Sequence, residues 1–380
     1  MKILHLANHS QKIGNGIVNV MVDLACLQAQ AGHQVAVASS GGSFEPLLTR
    51  YGVQHLTLVQ TKHPWRVPAM LRQFRGIADR FQPDIVHAHM MTGALLAWMA
   101  RARAPYTLIT TVHNEFQRAS DLMRVGDQVV AVSEAVAQAM IRRGIAAERM
   151  SVVRNGIIGA PRFLHDEPGG ESERASAAPP APSIERPSVV TVSGLYKRKG
   201  IHDLLSAFHI VREQQPHAHL YLVGEGPDRA ALEALSRRLG LTQAAHFIGY
   251  VKDPAPYFRQ ADVFVLPSHS ESSSLAIMEA RVAGCAIVAT AVGGIPETLA
   301  HGAAGQMVPP SDPASLAEAI VALLRDEQWR KHWQMRAREN LDALGVDHVY
   351  NEYHQIYLEA LARRAANPID ETNRTLDRGR

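Results

Sequence analysis

Cysteine is almost missing from this chain of 380 residues, with Cys26 and Cys285 the only two. Two thiols so far apart build no disulfide framework, and neither has a second thiol or a histidine at metal-ligand spacing. Both read as small apolar core residues of a reducing compartment. Long apolar runs are also lacking: the best, residues 90–100, falls well short of the ~20 residues that span a bilayer. The opening MKILHLANHS has neither the length nor the cleavage site of a signal peptide. It reads as a first β-strand, and a cytoplasmic protein is expected. A glycine is missing where it would matter for a dinucleotide. Gly14-Asn-Gly16 is followed by Asn19 in the third fingerprint position, and the second strand ends in Ser39-Ser40 without a ribose-binding acid, which excludes an NAD site. No Asp-x-Asp pair occurs, and no bound metal or cofactor is expected.

The length exceeds what one hydrophobic core usually serves, so two domains are expected. The net charge of +3 conceals an asymmetry. Residues 1–155 hold 16 Lys+Arg against 9 Asp+Glu, leaving 23 against 27 for the remainder. A basic first half suits an anionic surface or a phosphorylated ligand.

Residues 263–299 form the most informative stretch. Val263–Leu266 and residues 286–289 are short apolar, β-branched-rich runs of the kind buried on both faces of a parallel sheet. Leu275, Met278, Val282 and Ala283 recur between them at helical spacing, which makes one βαβ unit. The turn into that helix carries Ser272, Ser273 and Ser274 beside unpaired helix N–H groups, a place where anions settle. Glu271 precedes the helix and Glu279 lies about one turn inside it. Two acceptor-only carboxylates so placed suit the hydroxyls of an elongated ligand.

Strand, helix and turn signals alternate through the rest. Apolar strands are expected at residues 2–8, Gln34–Ser39, 84–89, Thr107–Val112, 128–132 and 151–153, with helices at 17–31, 69–80 and 134–143, the last capped by Ser133. A second series opens with strands at 188–193, 219–223 and 245–249, and with helices at 201–214 and 230–239. Lys197, Arg198 and Lys199 stand in a turn after a strand and ahead of a helix, well placed to neutralise a diphosphate. Residues 165–187 are rich in Pro, Gly, Ser and Ala without periodicity, the core of a linker beginning near Gly159. Residues 314–324 and 349–365 read as helices, and residues 366–380 as a polar, disordered tail.

Glu271-x7-Glu279 with Ala280, Gly284 and Val292-Gly-Gly-Ile-Pro-Glu297 resembles the donor-site signature of the retaining family 4 (group 1) glycosyltransferases, whose GT-B fold is α/β, with two facing Rossmann-like domains. Pro-Asp-Ile-Val-His87, His113, Ala-Val-Ser-Glu134 and Asn155-Gly156 match the family in the family's order. Two departures stand out: Glu271-Ser-Ser-Ser-Leu275 replaces Glu-Gly-Phe-Gly-Leu, and Gly194 stands where the family has an arginine.

The resemblance implies an acceptor-binding domain at 1–158, a linker at 159–187, a donor-binding domain at 188–345, and a last helix that crosses back with Tyr353, Ile356, Tyr357 and Leu361 buried. It implies that Lys199 and the N–H groups of Ser273, Ser274 and Leu275 hold the donor phosphates, with Arg198 substituting for the missing arginine. Gly14 and Gly16 would face the same diphosphate, Glu271 the sugar, Glu279 the ribose, and His113 the acceptor side. The implied activity is metal-independent transfer of a sugar, with retention, from a nucleoside-diphosphate sugar to a glycan or lipid-linked acceptor in cell-surface polysaccharide or lipopolysaccharide synthesis. The rival readings are a nucleotide-sugar epimerase of the same architecture and a sugar-nucleotide-binding subunit without catalysis. Nucleic acid is not an expected partner. An anionic membrane at the inner face is, through residues 61–80, where Lys62, Arg66, Arg72, Arg75 and Arg80 alternate with Trp65, Met70, Leu71 and Phe74.

Overall fold

The structure is a computed structural model that describes every residue except 62, 102–104, 117, 165–182 and 367–380. The chain divides into two compact units. The first contains Met1–Ala131, Ala137–Val153 and the chain from Asp347 onward; the second contains Val132–Val136 and Arg154–Val346. The expected boundary near residue 158 therefore differs in detail, because two short pieces, 132–136 and 154–158, belong with the second unit. The strongly apolar strands around them carry no sign of which unit a connecting residue joins.

The first unit is built on seven strands: β1 Lys2–Leu6, β2 Gln34–Ser39, β3 Gln54–Thr57, β4 Ile85–Ala88, β5 Thr107–Val112, β6 Gln128–Ala131 and β7 Met150–Val152. They are all parallel, in the order β3-β2-β1-β4-β5-β6-β7. Register is fixed by burial. Ile3, Leu4 and Leu6 pair with Val35, Ala36 and Ala38 on one side and with Ile85, Val86 and Ala88 on the other, all of them buried. A one-residue slip would leave the pattern without its partner face. β3 escapes sequence reading because it is an edge strand, Gln-His-Leu-Thr, with neither end residue buried.

The last helix, Val346–Ala366, packs on this sheet, and Val349, Tyr353, Ile356, Tyr357 and Ala360 join a core with Ile3, Leu24, Ile85, Ile109, Val130 and Val153. Leu361 packs against the same cluster. Each tyrosine buries about 150–250 Å², and at ~25 cal/mol per Å² such a face is one of the larger stabilising terms of the unit. Cys26 lies in the neighbouring cluster and Cys285 in the second unit; both are buried and unbridged, and burial pushes each thiol up to about 12.

The second unit carries β8 Ser188–Val192, β9 His219–Val223, β10 Ala245–Gly249, β11 Val263–Leu266, β12 Ala286–Thr290 and β13 Gln306–Val308. This sheet is also parallel, in the order β10-β9-β8-β11-β12-β13. In both sheets the order reverses once, between β1 and β4 and between β8 and β11. Ligands of open α/β sheets bind in the crevice outside the carboxyl ends of the strands at such a reversal.

Both ends of the expected linker, 159–164 and 183–187, lie within the described residues. Residues 165–182 and the tail from 367 lie outside the described residues, but Pro161–Leu164 is a helical turn, and Ala160, Pro161 and Arg162 are buried. Gly159 still marks the break, with φ of +80°. Pro161 starts the turn, where its missing N–H costs nothing. Ile184, near the far end of the linker, packs on the core of the second unit.

Candidate functional site

At the second reversal point, the loop after β8 and the loop after β11 are pressed together by glycine. Gly200 has φ of +66°, and a Cβ there would stand 1.9 Å from the Pro267 carbonyl oxygen. No other residue fits such an approach. The preceding 3₁₀ turn, Lys197–Lys199, is thereby held against the β11 loop, and the His269 N–H donates to the Arg198 carbonyl at 2.8 Å. The consequence is an ion pair between Lys199 and Glu271, residues far apart in sequence, with side chains only 14% and 9% exposed. The Ser268 hydroxyl donates to the same carboxylate oxygen at 3.4 Å.

The β12 loop closes on Glu271 from the other side. Gly293, at φ of +52°, would place a Cβ 1.8 Å from the Glu271 carbonyl oxygen, and the Gly294 N–H donates to that oxygen at 2.9 Å. The Gly-Gly pair of the sequence signature thus shapes the backbone around the glutamate.

The serines divide the work. Ser274 is the N-cap of the helix Leu275–Ala283, its hydroxyl accepting from the Ile277 N–H at 3.2 Å. The Ser273 hydroxyl accepts from Asn155 Nδ2 at 3.1 Å, and Ser272 is buried. Leu275 opens the helix, so the N–H groups of Ser273 to Leu275 sit at its positive end, as the sequence implied. Arg198 is exposed and donates to the Ser270 carbonyl at 3.5 Å, at the rim of the same loop. At Gly194, where the family has an arginine, a Cβ would meet only the ring of the exposed Tyr196, at 2.5 Å, and no backbone atom nearer than 3.6 Å. Glu297 accepts from the N–H groups of Glu134 and Ala135 at 3.1 and 3.2 Å and pairs with Arg154 at 3.0 Å, a structural role.

Glu279 is the fifth residue of its helix and partly buried. Burial raises its carboxyl to about 7; the Arg162 guanidinium pulls it back and Asp253 pushes it further up. Arg162 is the residue the sequence did not reveal. It is 4% exposed, and burial lowers it to about 10 against the pull of Glu279. It lies in the stretch that composition assigned to the linker, and a buried arginine gives no periodic signal. His269 and Asp203 were missed as well; they meet at 2.5 Å just behind Gly200.

In the first unit, Gly14 has φ of +68° and Gly16 opens the helix Gly16–Gln30. Between them Asn15 caps the helix, its side chain accepting from the Ile17 N–H at 3.1 Å. This turn follows β1, at the first reversal point. His89 and His113 follow β4 and β5 at the same sheet edge, their rings 3.1 Å apart between Nδ1 and Nε2. Burial lowers His113 to about 3 and His89 well below its ordinary value, so both rings are neutral.

The region expected to face a membrane is only partly available. Met70 and Phe74 are buried and Leu71 is partly covered, because they form the inner stripe of the helix Val67–Phe81. Arg75 is also partly covered. Trp65 is 74% exposed and stacks on His63, with Arg66, Arg72 and Arg80 exposed nearby in sequence. Lys62 lies outside the described residues. No helix among the described residues is long and apolar enough to cross a membrane.

Two family models match the chain, one in each half. Residues 14–158 match Glycosyltransferase Family 4, and residues 186–326 match Glycosyl transferases group 1. The chain belongs to the group 1, family 4 glycosyltransferases. Among curated relatives, this glycosyltransferase is 26% identical to the N-acetyl-alpha-D-glucosaminyl L-malate synthase of Bacillus anthracis, covering 92% of this chain and 94% of that one. Its fold matches Anabaena HepE, solved with UDP and glucose, at a TM-score of 0.77 and 21% identity over 94% of this chain and all of that one. It also matches WaaG, a glycosyltransferase involved in lipopolysaccharide biosynthesis, at 0.72 and 16% identity over 93% and 99%. The fold is therefore GT-B, as the sequence motifs implied.

Proposed function

We propose that this glycosyltransferase takes its sugar from a nucleoside-diphosphate donor held at the β8/β11 crevice and transfers it with retention to a hydroxyl of the acceptor. The bond from the sugar anomeric carbon to the β-phosphate oxygen breaks, the acceptor oxygen forms the new bond to that carbon, and the acceptor proton passes to the departing diphosphate. Negative charge grows on the departing diphosphate, so cations and helix N–H groups fixed in advance lower the barrier. Lys199 and the N–H groups of Ser273, Ser274 and Leu275 are the residues for that task, with Arg198 at the rim.

The single observation that carries this reading is the Lys199–Glu271 pair at the reversal point. An ammonium has three donors, so Lys199 can keep Glu271 and still hold a phosphate oxygen. Glu271, oriented by Lys199 and Ser268, then offers its remaining acceptor capacity to the sugar hydroxyls, while Glu279 takes the ribose. The charge demand of the diphosphate is met by protein cations, which supports metal-independent transfer.

For the acceptor, the reading is a glycan or lipid-linked hydroxyl used in cell-surface polysaccharide synthesis, reached by peripheral contact at the inner face of the membrane. It is supported by the basic first half of the chain and by Trp65, Arg66 and Arg72 on an exposed surface. Each cation near an anionic leaflet contributes ~1 kcal/mol, screened by salt. A second reading, a small hydroxy acid as acceptor, is favoured by the match over nearly the whole chain to the relative named as an N-acetyl-alpha-D-glucosaminyl L-malate synthase.

A thermal-shift panel of nucleoside diphosphates tests the donor assignment, since a ligand at 100 times its dissociation constant adds ~2.7 kcal/mol of stability. One nucleotide should raise the melting temperature of the wild type and fail to do so for Lys199→Ala. No response to any nucleotide, or an equal response in the variant, would remove the diphosphate from this crevice.

A further inference from the structure

Side-chain hydrogen bonds join eight residues of the first unit in one file. His113 Nε2 lies 3.1 Å from His89 Nδ1, His89 Nε2 lies 3.0 Å from His5 Nδ1, and His5 Nε2 lies 2.7 Å from Gln28 Oε1. The Gln28 Nε2 amide donates to the Tyr357 hydroxyl at 3.3 Å, which lies 2.6 Å from His87 Nδ1. His87 Nε2 is 2.7 Å from Thr111 Oγ1, and Thr111 is 3.0 Å from the Tyr353 hydroxyl. The file starts at the end of β5 and ends on the last helix.

Its direction follows from one atom. An amide oxygen only accepts, so His5 must carry its proton on Nε2. A neutral ring with a proton on Nε2 has its lone pair on Nδ1, which can only accept from His89 Nε2–H. The same step repeats, and His89 Nδ1 accepts from His113 Nε2–H. The rings are neutral, because burial lowers His5 to about 4, His113 to about 3 and His89 well below its ordinary value. His113 is left with a lone pair on Nδ1 that has no hydrogen bond among the described residues. His5, His87 and His89 also cluster as tightly as metal ligands do, with ring nitrogens within 4.8 Å. All six of those nitrogens are already engaged in the file, which accounts for the cluster by hydrogen bonding.

We infer that Gln28, acting through His5 and His89, fixes His113 as the Nε2–H tautomer, so that Nδ1 is presented to accept the hydrogen bond of the acceptor hydroxyl. This rests on the reading of His113 as an acceptor-side residue. Gln28, His5 and His89 are positioning residues, since none touches substrate. A Gln28 amide turned over would reverse every bond in the file and put a proton on His113 Nδ1, making it a donor to the hydroxyl where transfer needs an acceptor.

Long-range proton–nitrogen correlation spectra of protein labelled in histidine read the tautomers directly. The wild type at neutral pH should show Nε2–H for His5, His89 and His113. Gln28→Leu should give a mixture at His113, with kcat down about tenfold, the rate equivalent of one hydrogen bond, and the donor KM unchanged. Gln28→Glu, which still accepts from His5, should restore the Nε2–H form and most of kcat. An Nδ1–H His113 in the wild type overturns the inference without any variant, and so does a Gln28→Leu protein whose His113 tautomer is unchanged while kcat falls. If the tautomers behave as stated but His113→Ala keeps wild-type kcat, the hydrogen-bond file stands and the acceptor role of His113 is the part refuted.

Discussion

Donor binding should strengthen as pH rises through neutrality, and Glu279 is the reason. Its carboxyl titrates at about 7 because burial outweighs the pull of Arg162. A ribose diol has two O–H donors, which a carboxylate can accept together; the acid form turns one acceptor into a competing donor. If only the carboxylate form binds, the apparent dissociation constant scales with the reciprocal of the ionised fraction. That fraction is about nine-tenths at pH 8 and about one-tenth at pH 6, so affinity should fall about tenfold, or about 1.4 kcal/mol, between them. The assay is isothermal titration of an intact nucleotide sugar, whose esterified phosphates do not titrate in this window, across that range. Glu279→Gln should bind weakly and lose the pH slope. A flat profile in the wild type, or an equal slope in Glu279→Gln, would show that Glu279 does not face the donor.

The same shift bears on stability in the opposite sense. The folded protein keeps a proton on Glu279 that the unfolded chain, with its ordinary value of 4.5, releases, so between pH 4.5 and about 7 the Glu279 contribution to stability falls as pH rises. The total is at most about 3 kcal/mol by linkage, and the difference in denaturation midpoint between wild type and Glu279→Gln should change across that window; a constant difference would contradict it. Lys199→Ala should cut kcat/KM by tenfold or more, the loss of a charge-assisted contact of ~1.5–3 kcal/mol, and leave Glu271 buried without its partner. Activity within twofold would place the phosphates elsewhere. Gly200→Ala should destabilise the fold by at least ~1–3 kcal/mol in urea and abolish donor binding, since its backbone needs a positive φ and its Cβ would overlap Pro267; a variant of native stability would refute the packing described. Sedimentation with anionic vesicles at low salt should carry the protein down, and charge reversal at Arg66 and Arg72 together with Trp65→Ala should leave it in solution. Equal binding to neutral vesicles would refute an electrostatic membrane contact.

Much of this was legible in the sequence where chemistry and periodicity coincide. Buried parallel strands such as Val263–Leu266 announce themselves as apolar β-branched runs, and the Ser274 cap and the Gly293-Gly294 turn carry local rules. The edge strand Gln54–Thr57 did not, because a strand paired on one side and half solvated has no strong pattern. The Lys199–Glu271 contact could be placed only through the fold, since sequence spacing says nothing about which loops a parallel sheet brings together. Arg162 was hidden in a Pro- and Gly-rich stretch, and the histidine file was invisible because Gln28, His5, His87 and Tyr357 come from four elements. Met70 and Phe74 show the opposite error: a basic and apolar mixture looks like a membrane face until the core claims its apolar half.

The most direct measurement is phosphorus NMR of a nucleotide-sugar donor incubated with the protein in the absence of acceptor. Slow appearance of free nucleoside diphosphate with the wild type, lost in both Lys199→Ala and Glu271→Gln, is the result this account predicts, because a crevice that stabilises the departing diphosphate lets water stand in for the acceptor. Binding of the donor with no release above the uncatalysed rate, or release that persists undiminished in both variants, would contradict it.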